Sequence, residues 1–171
     1  MKNIILVGFM GTGKSAVGRA LAKKLKRPFI DLDERIEKEA GRPIAQIFSK
    51  EGEAGFRQRE TQAVEKAAKV SSSVIATGGG VMLDEENVRL LKESGTVVCL
   101  TARPEVIVQR TLASLPSRPL LNGAGISPRE RIEELLRVRA PFYAQADLVI
   151  DTSDKLTQDV VEEILKIHAP A

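Results

Sequence analysis

The sequence contains no tryptophan and only one tyrosine, one cysteine and one histidine among its 171 residues. The single cysteine, Cys99, excludes an internal disulfide and a cysteine-based zinc site. Aromatic platforms for stacking on nucleic-acid bases are scarce. Because the only histidine, His168, lies near the C-terminus, any proton acceptor in a catalytic site is expected to be a carboxylate.

Long apolar runs and a strong charge of one sign are also missing. No apolar stretch approaches the length needed to span a membrane. The chain enters a predicted strand directly, which leaves no room for a signal peptide and predicts a cytoplasmic protein. A net charge of +3 is too small to predict nucleic-acid binding by itself, but it suits small anionic substrates. No large apolar stripe is evident, so a monomer is expected.

What the sequence does contain is an alternation of short apolar runs with amphipathic helical patterns. Its 43% hydrophobic and 29% charged residues are ordinary for one globular domain with a core of its own. The alternation predicts a single α/β domain over residues 1–171, built on a parallel, right-handed, doubly wound sheet. The five predicted strands are 3–7, 29–33, 74–77, 96–100 and 148–150.

The most informative stretch is residues 8–15, Gly-Phe-Met-Gly-Thr-Gly-Lys-Ser, which follows the first strand and fits the pattern G-x-x-x-x-G-K-[ST]. Its glycines let backbone N–H groups turn inward around a polyphosphate. Lys14 supplies a charge for the outer phosphates, and the Ser15 hydroxyl can ligate Mg²⁺. A helix follows at once and points its N-terminus at the phosphates. The alternative is a chance glycine-rich turn between a strand and a helix.

Two carboxylates, Asp31 and Asp33, leave the C-terminal end of the second predicted strand. Open α/β sheets bind their ligands at that edge. In a regular strand, residues two apart face the same side. Near a Mg-nucleotide, one carboxylate would hold a metal-bound water and the other a substrate hydroxyl. The structural alternative is that Asp33 caps a helix predicted over 34–40.

Three further segments are candidates for the same site. Gly78-Gly79-Gly80 follows the third strand and indicates close approach of backbone to a ligand, with a flexible turn as the alternative. Residues 113–127 predict a long functional loop, whose central Arg118 would swing onto the nucleotide when the loop closes. Arg57 and Arg59 lie near the start of a predicted helix over 53–69, where isolated arginines are most often solvated surface side chains.

Taken together, these segments resemble the shikimate kinase family over nearly the whole chain. The phosphate loop alone indicates only a nucleotide enzyme, but its combination with the other motifs is specific. The resemblance implies a nucleoside-monophosphate-kinase fold with a five-stranded parallel sheet in the order 2-3-1-4-5, flanked by helices. It places substrate-binding helices at about 33–61 and a lid at about 113–127. The motifs that carry it are Gly8–Ser15, Asp31-Leu32-Asp33, Gly52-Glu53-x-x-Phe56-Arg57-x-x-Glu60, Gly78-Gly79-Gly80, Arg118-Pro119-Leu120-Leu121 and Arg139-x-Pro141-x-Tyr143.

The activity that the resemblance implies is transfer of the γ-phosphoryl group of ATP to the 3-hydroxyl of shikimate, on the route to chorismate and the aromatic amino acids. Lys14, Asp33 and Arg118 would be catalytic, with Asp33 accepting or orienting the substrate hydroxyl. Mg²⁺ would be held by Ser15 and, through water, by Asp31. The residues implied to bind ATP are Gly11, Thr12, Gly13, Lys14, Ser15, Ala16, Arg110 and Arg118. Of these, Arg110 would stack on adenine. Those implied to bind shikimate are Asp33, Arg57, Gly79, Gly80 and Arg139, with both arginines on its carboxylate.

Three other functions share parts of this pattern. A gluconate-type kinase needs the phosphate loop but gives no account of Arg57, Arg139 and the triple glycine together. A GTPase switch would carry an Asn-Lys-x-Asp motif, and the sequence has none. A non-catalytic nucleotide-binding module has no need to keep the phosphate-loop residues and both aspartates. The loop 151–155 lacks the arginine and proline that some family members place near adenine, so the sequence leaves the contacts to the base open.

Overall fold

A computed structural model describes residues 2–112, 121 and 126–168, and for His168 the backbone alone. Its five strands are parallel and lie in the order β2-β3-β1-β4-β5. The predicted α/β class and the strand order 2-3-1-4-5 are therefore confirmed. The strands are β1 (Asn3–Val7), β2 (Phe29–Asp31), β3 (Val74–Ala76), β4 (Gly95–Thr101) and β5 (Leu148–Asp151).

Helices cover both faces of this sheet. Side chains of the central strand β1 alternate between two cores, because successive residues of a strand point to opposite faces. Ile4 and Leu6 pack with α1 and α7, whereas Ile5 and Val7 pack with the core on the other face, which also contains Cys99. The helices are α1 (Lys14–Leu25), α2 (Leu32–Ala40), α3 (Ile44–Ala68), α4 (Glu85–Ser94), α5 (Pro104–Thr111), α6 (Pro128–Tyr143) and α7 (Thr157–His168), with a 3₁₀ turn at Val81–Leu83.

Two element boundaries differ from the sequence prediction in an informative way. Strand β2 ends at Asp31, two residues before the predicted end, because α2 begins at Leu32. Helix α3 begins at Ile44, nine residues before the helix predicted over 53–69, but its backbone breaks at Gly52, with φ of +70°. Side chains are disfavoured in that left-handed region, so glycine is the residue that permits the break. The other strand ends differ from prediction by at most one residue.

In the part of the chain that the structure describes, no helix combines the length and the apolar character needed to cross a membrane. The predicted lid, residues 113–127, falls almost entirely outside the described residues, and so does Arg118. Both therefore remain predictions from the sequence.

Candidate active site

A cavity of about 410 Å³ opens where the carboxyl ends of β1, β2 and β3 meet. Open parallel sheets place their ligand sites at this edge. The structure brings to this one cavity most of the residues that the sequence indicated. Those that line it are Gly11, Gly13, Lys14, Ser15, Ala16, Asp33, Arg57, Gly79, Gly80 and Arg139, with Met10, Glu37, Ile44, Phe48, Phe56, Glu60, Thr77 and Gly78 between them.

The loop at residues 8–15 ends at the start of α1 and has the geometry of an anion site. Gly13 precedes the helix with φ of +96°, a conformation that a side chain would strain. Helix α1 has no side-chain cap at its start and no acidic residue in its first turn. Its first N–H groups therefore have no intrahelical or capping acceptor, which suits a bound phosphate.

Two side chains of this loop bind its own backbone. The Thr12 hydroxyl and the Lys14 ammonium each donate to the Phe9 carbonyl at 2.8 Å. Thr12 is buried and does not line the cavity, so its side chain shapes the loop, and only its backbone is left to meet a phosphate. The Lys14 ammonium lies against the loop and lines the cavity.

Ser15 and Asp31 are in direct contact. The Ser15 hydroxyl donates to Asp31 Oδ2 at 2.6 Å. The other oxygen, Asp31 Oδ1, accepts from the backbone N–H groups of Asp33 at 3.1 Å and Glu34 at 3.4 Å, which makes Asp31 the N-cap of α2. A hydroxyl and a carboxylate are hard oxygen ligands, and Mg²⁺ commonly takes one or two such groups together with water and phosphate oxygens. The pair therefore fits the metal expected from the sequence.

The placement of Asp33 corrects the sequence interpretation in two respects. Asp33 lies in the first turn of α2, so it does not share a strand face with Asp31. It does not cap the helix either, because Asp31 does. Its carboxylate instead lines the cavity. Burial, followed by the nearby negative charge of Asp31, raises the pKa of Asp33 to about 6, although Lys14 partly opposes the rise.

Glu60 lines the cavity, although the sequence analysis named it only as part of a motif and gave it no role in the site. Its side chain is 1% exposed, and its Oε2 accepts from Arg57 Nη1 at 2.6 Å. Burial raises its pKa, and the adjacent Arg57 charge opposes that rise. Arg57 also donates to Glu53 at 3.0 Å. Residues three apart on a helix lie on the same face, so the spacing of Arg57 and Glu60 could have predicted this ion pair.

Arg59, two residues from Arg57, lies outside the cavity lining and pairs with Glu51 across the break at Gly52. Of the two arginines, only Arg57 therefore belongs to the candidate site.

The triple glycine provides room for charged side chains. A Cβ at Gly78 would lie 2.5 Å from Glu60 Oε1 and 3.0 Å from Asp33 Oδ1. A Cβ at Gly79 would lie 3.4 Å from Arg139 Nη1, and one at Gly80 would collide with the Arg57 guanidinium. Two guanidinium groups are thus held against adjacent glycines, a cationic pair that suits a carboxylate.

Arg139 is positioned from α6. It is 3% exposed, its guanidinium lies over the Phe9 ring at 5.4 Å, and its Nη1 donates to the Gly79 carbonyl at 3.1 Å. The Tyr143 hydroxyl, one helical turn further on, donates to the same carbonyl at 2.6 Å. Tyr143 was part of a motif but was not predicted to have a role.

Arg110 joins the phosphate loop to the segment after β5. Its guanidinium donates to the Gly11 carbonyl at 3.2 Å, to Thr152 Oγ1 at 3.0 Å and to the Thr152 carbonyl at 2.8 Å. Thr152 Oγ1 also lies 3.0 Å from the Thr12 carbonyl. These bonds lie in the guanidinium plane, so stacking of its face on adenine stays a prediction. Sequence reasoning missed Thr152, and no motif signalled it.

Comparison with known proteins agrees with this geometry. The family model described as shikimate kinase matches residues 10–169. A shikimate kinase of Caldanaerobacter subterraneus subsp. tengcongensis is 49% identical over 98% of this chain and 96% of its own length. One from Thermodesulfovibrio yellowstonii is 48% identical over 97% of this chain and 94% of its own. A solved structure of shikimate kinase from Acinetobacter baumannii in complex with shikimate superposes with a TM-score of 0.92 at 40% identity, over 98% of this chain and 92% of that one.

Proposed function

The chain belongs to the shikimate kinase family and is a kinase, and we propose that it transfers the γ-phosphoryl group of ATP to the 3-hydroxyl of shikimate. The products are shikimate 3-phosphate and ADP. The observation that carries this proposal is the pair Arg57 and Arg139, held against Gly79 and Gly80 in the same cavity as Asp33 and Lys14. This cavity offers a carboxylate clamp, a proton acceptor and a phosphate loop within one space.

On the nucleotide side, phosphoryl transfer depends on positioning and on neutralising charge. The backbone from Gly11 to Ala16 receives the phosphates, and Lys14 leaves the Phe9 carbonyl to contact the outer ones. Mg²⁺, when bound by Ser15 and through water by Asp31, supplies further positive charge beside the phosphates. Arg118 in the lid, and Arg110 on the adenine, complete the nucleotide site in this proposal.

On the acceptor side, the carboxylate of shikimate binds the two arginines and the backbone of Gly79 and Gly80. Asp33 then takes or orients the proton of the attacking hydroxyl. A pKa of about 6 leaves Asp33 ionised at neutral pH and makes it a stronger base than an ordinary aspartate. The other two carboxylates that line the cavity have protein partners, since Glu60 binds Arg57 and Glu37 accepts from the Ile44 N–H.

The setting of the reaction is also a proposal. We take the protein to act as a monomer in the cytoplasm on small molecules, without nucleic acid or a membrane surface. The modest charge of +3 and the scarcity of aromatic residues support the absence of nucleic-acid binding. Residues 113–127 would close over ATP as a lid.

The decisive experiment is steady-state kinetics with shikimate as the varied substrate, on wild type and two variants. Arg139→Met should mainly raise the KM for shikimate, since the carboxylate is bound before and during transfer. Asp33→Asn should mainly lower kcat, since it removes the charge that orients the hydroxyl. Neither should much change nucleotide affinity. Arg137→Met, an exposed arginine on the same helix, is the matched control and should behave as wild type.

An analogue of shikimate whose carboxylate is an amide tests the clamp separately. Wild type should use it poorly, and Arg139→Met should discriminate less between amide and acid. Equal use of both by wild type would contradict the two-arginine clamp and favour a kinase for neutral polyols.

A further inference from the structure

Tyr143 is the only tyrosine of the chain and ends helix α6 beside the active site. Its side chain is 7% exposed, and its hydroxyl donates to the Gly79 carbonyl at 2.6 Å. Its ring belongs to the hydrophobic core. The chemistry proposed above does not use this hydroxyl, so its short bond to a cavity-lining backbone group calls for an explanation.

The accepting carbonyl belongs to the peptide between Gly79 and Gly80. The peptides of the described residues are all trans, so in this unit the C=O and the N–H point in opposite directions. Holding the Gly79 oxygen toward α6 therefore turns the Gly80 N–H away from α6. A peptide between two glycines rotates easily, because neither residue has a Cβ to restrict it. Without a fixed hydrogen-bond donor to its carbonyl, this peptide would have no set direction.

The same carbonyl also accepts from Arg139 Nη1 at 3.1 Å. The orientation of this arginine is therefore linked to that of the peptide. Arg57 lies against the next residue, Gly80. One carbonyl oxygen thus sits among the groups proposed to receive the substrate carboxylate, and Tyr143 makes the shortest bond to it.

We propose that Tyr143 is a positioning residue, whose hydroxyl fixes the Gly79–Gly80 peptide and the Arg139 guanidinium in the orientation that receives the substrate carboxylate. This inference rests on the proposed function, because it assumes an acid substrate. Burial raises the pKa of the Tyr143 phenol to about 12, so the hydroxyl remains a donor throughout the pH range of an enzyme assay.

The direct test is Tyr143→Phe, which removes the hydroxyl and keeps the ring in the core. We expect the KM for shikimate to rise roughly threefold to tenfold, the span that corresponds to the net loss of one hydrogen bond. The KM for ATP should not change, and kcat should stay within about twofold, because the bond affects binding before and during transfer alike. Preference for shikimate over its amide should fall.

The matched control is Ser94→Ala. Ser94 also donates its hydroxyl to a backbone carbonyl, that of Leu91 at 2.9 Å, but it lies at the opposite edge of the sheet, just before β4. The control should lose comparable thermal stability with unchanged kinetics. An unchanged KM for shikimate in Tyr143→Phe, or equal rises in both KM values together with a lower Tm, would overturn the positioning role.

A double variant tests the shared carbonyl. Tyr143→Phe combined with Arg139→Met should raise the KM for shikimate by less than the product of the two single effects, since both act on one peptide. Strictly multiplicative effects would show that the two residues act separately and would overturn the proposal.

A second measurement needs no substitution by another residue type. Because Tyr143 is the only tyrosine, incorporation of 3-fluorotyrosine labels this site alone. Its fluorine resonance should shift on addition of shikimate and shift less with the amide. No shift with saturating shikimate would count against the proposal. If wild type neither binds nor phosphorylates shikimate, the proposed function itself is overturned. If wild type is active and Tyr143→Phe has the same KM for shikimate, only the role of Tyr143 is overturned.

Discussion

Asp33 and Glu60 converge on one point beside Gly78. Asp33 Oδ1 lies 3.0 Å and Glu60 Oε1 2.5 Å from the position that a Cβ of Gly78 would occupy. Both oxygens are buried and have no hydrogen-bond partner among the residues that the structure describes. Burial raises the pKa of both carboxyl groups. The free protein therefore holds two poorly solvated acids at its active site, which costs stability once both are charged.

Asp33→Asn should consequently stabilise the protein while it abolishes most activity. The folded pKa of about 6 lies above the usual aspartate pKa of 3.8, so the folded state binds this proton more tightly than the unfolded state. Wild-type stability therefore falls as pH rises from about 4 to 6, and the variant escapes that loss. We expect a gain on the order of 2 kcal/mol at pH 8 that shrinks below pH 6.

Denaturant unfolding with EDTA and without ligands, from pH 5 to pH 8, measures this gain. Glu85→Gln, an exposed carboxylate at the start of α4, is the control and should stay within about 0.5 kcal/mol of wild type throughout. A gain that does not change with pH would refute the buried-charge explanation.

Lys14→Ala should keep the fold and lose turnover. Its ammonium donates to the Phe9 carbonyl at 2.8 Å, and in the proposed function it contacts the outer phosphates, where charge develops. Loss of one such electrostatic contact lowers kcat by about 10²- to 10³-fold. Steady-state kinetics and a thermal melt check both parts. Lys23→Ala, exposed in the last turn of the same helix, should leave kcat unaffected. A folded Lys14→Ala with near-normal kcat would refute the phosphate-loop assignment.

Ser15→Ala should raise the Mg²⁺ concentration needed for half-maximal rate by roughly tenfold, because it removes one direct oxygen ligand. The hydroxyl lies 2.6 Å from Asp31, so the two groups proposed to hold the metal are in contact without it. Rates titrated with Mg²⁺ after EDTA treatment measure this. Ser15→Thr keeps the hydroxyl and should resemble wild type. Equal Mg²⁺ requirements in all three proteins would place the metal elsewhere.

Thr152→Val should weaken nucleotide binding about fivefold, the order expected from losing one hydrogen bond, and leave shikimate affinity unchanged. Thr152 Oγ1 accepts from Arg110 and contacts the Thr12 carbonyl, so its loss frees the phosphate loop. Direct nucleotide titration measures the effect. Ser153→Ala removes the neighbouring hydroxyl, which accepts from the Arg103 N–H, and should not alter ATP affinity. If both variants bind ATP as tightly as wild type, the contact between Thr152 and the phosphate loop does not contribute to nucleotide binding.

Much of this site was predictable because its signals are contiguous in sequence. The phosphate loop, the Asp31–Asp33 pair and Gly78–Gly80 each follow a strand that is recognisable by its own apolar run. In a parallel sheet, residues after strands meet at one edge whatever the separation along the chain. The local sequence pattern therefore determined where these groups lie.

The roles of individual side chains were less predictable where they depend on competing partners. The sequence alternative gave the helix cap to Asp33, whereas the structure assigns it to Asp31, and β2 ends there, two residues early. The difference arises from hydrogen bonds of a side chain to N–H groups two and three residues away, which a strand pattern does not encode.

The sequence by itself determined the fold class and the loops that form the cavity, since these follow from periodicity and from glycine positions near one another in the chain. The strand order was implied by the family resemblance alone. The tertiary structure alone decided which distant groups meet: Tyr143 with Gly79, 64 residues apart, and Thr152 with Thr12, 140 residues apart. Such contacts depend on how α6 and the segment after β5 pack against the sheet. Packing is a property of the whole core, and no single segment of sequence carries it.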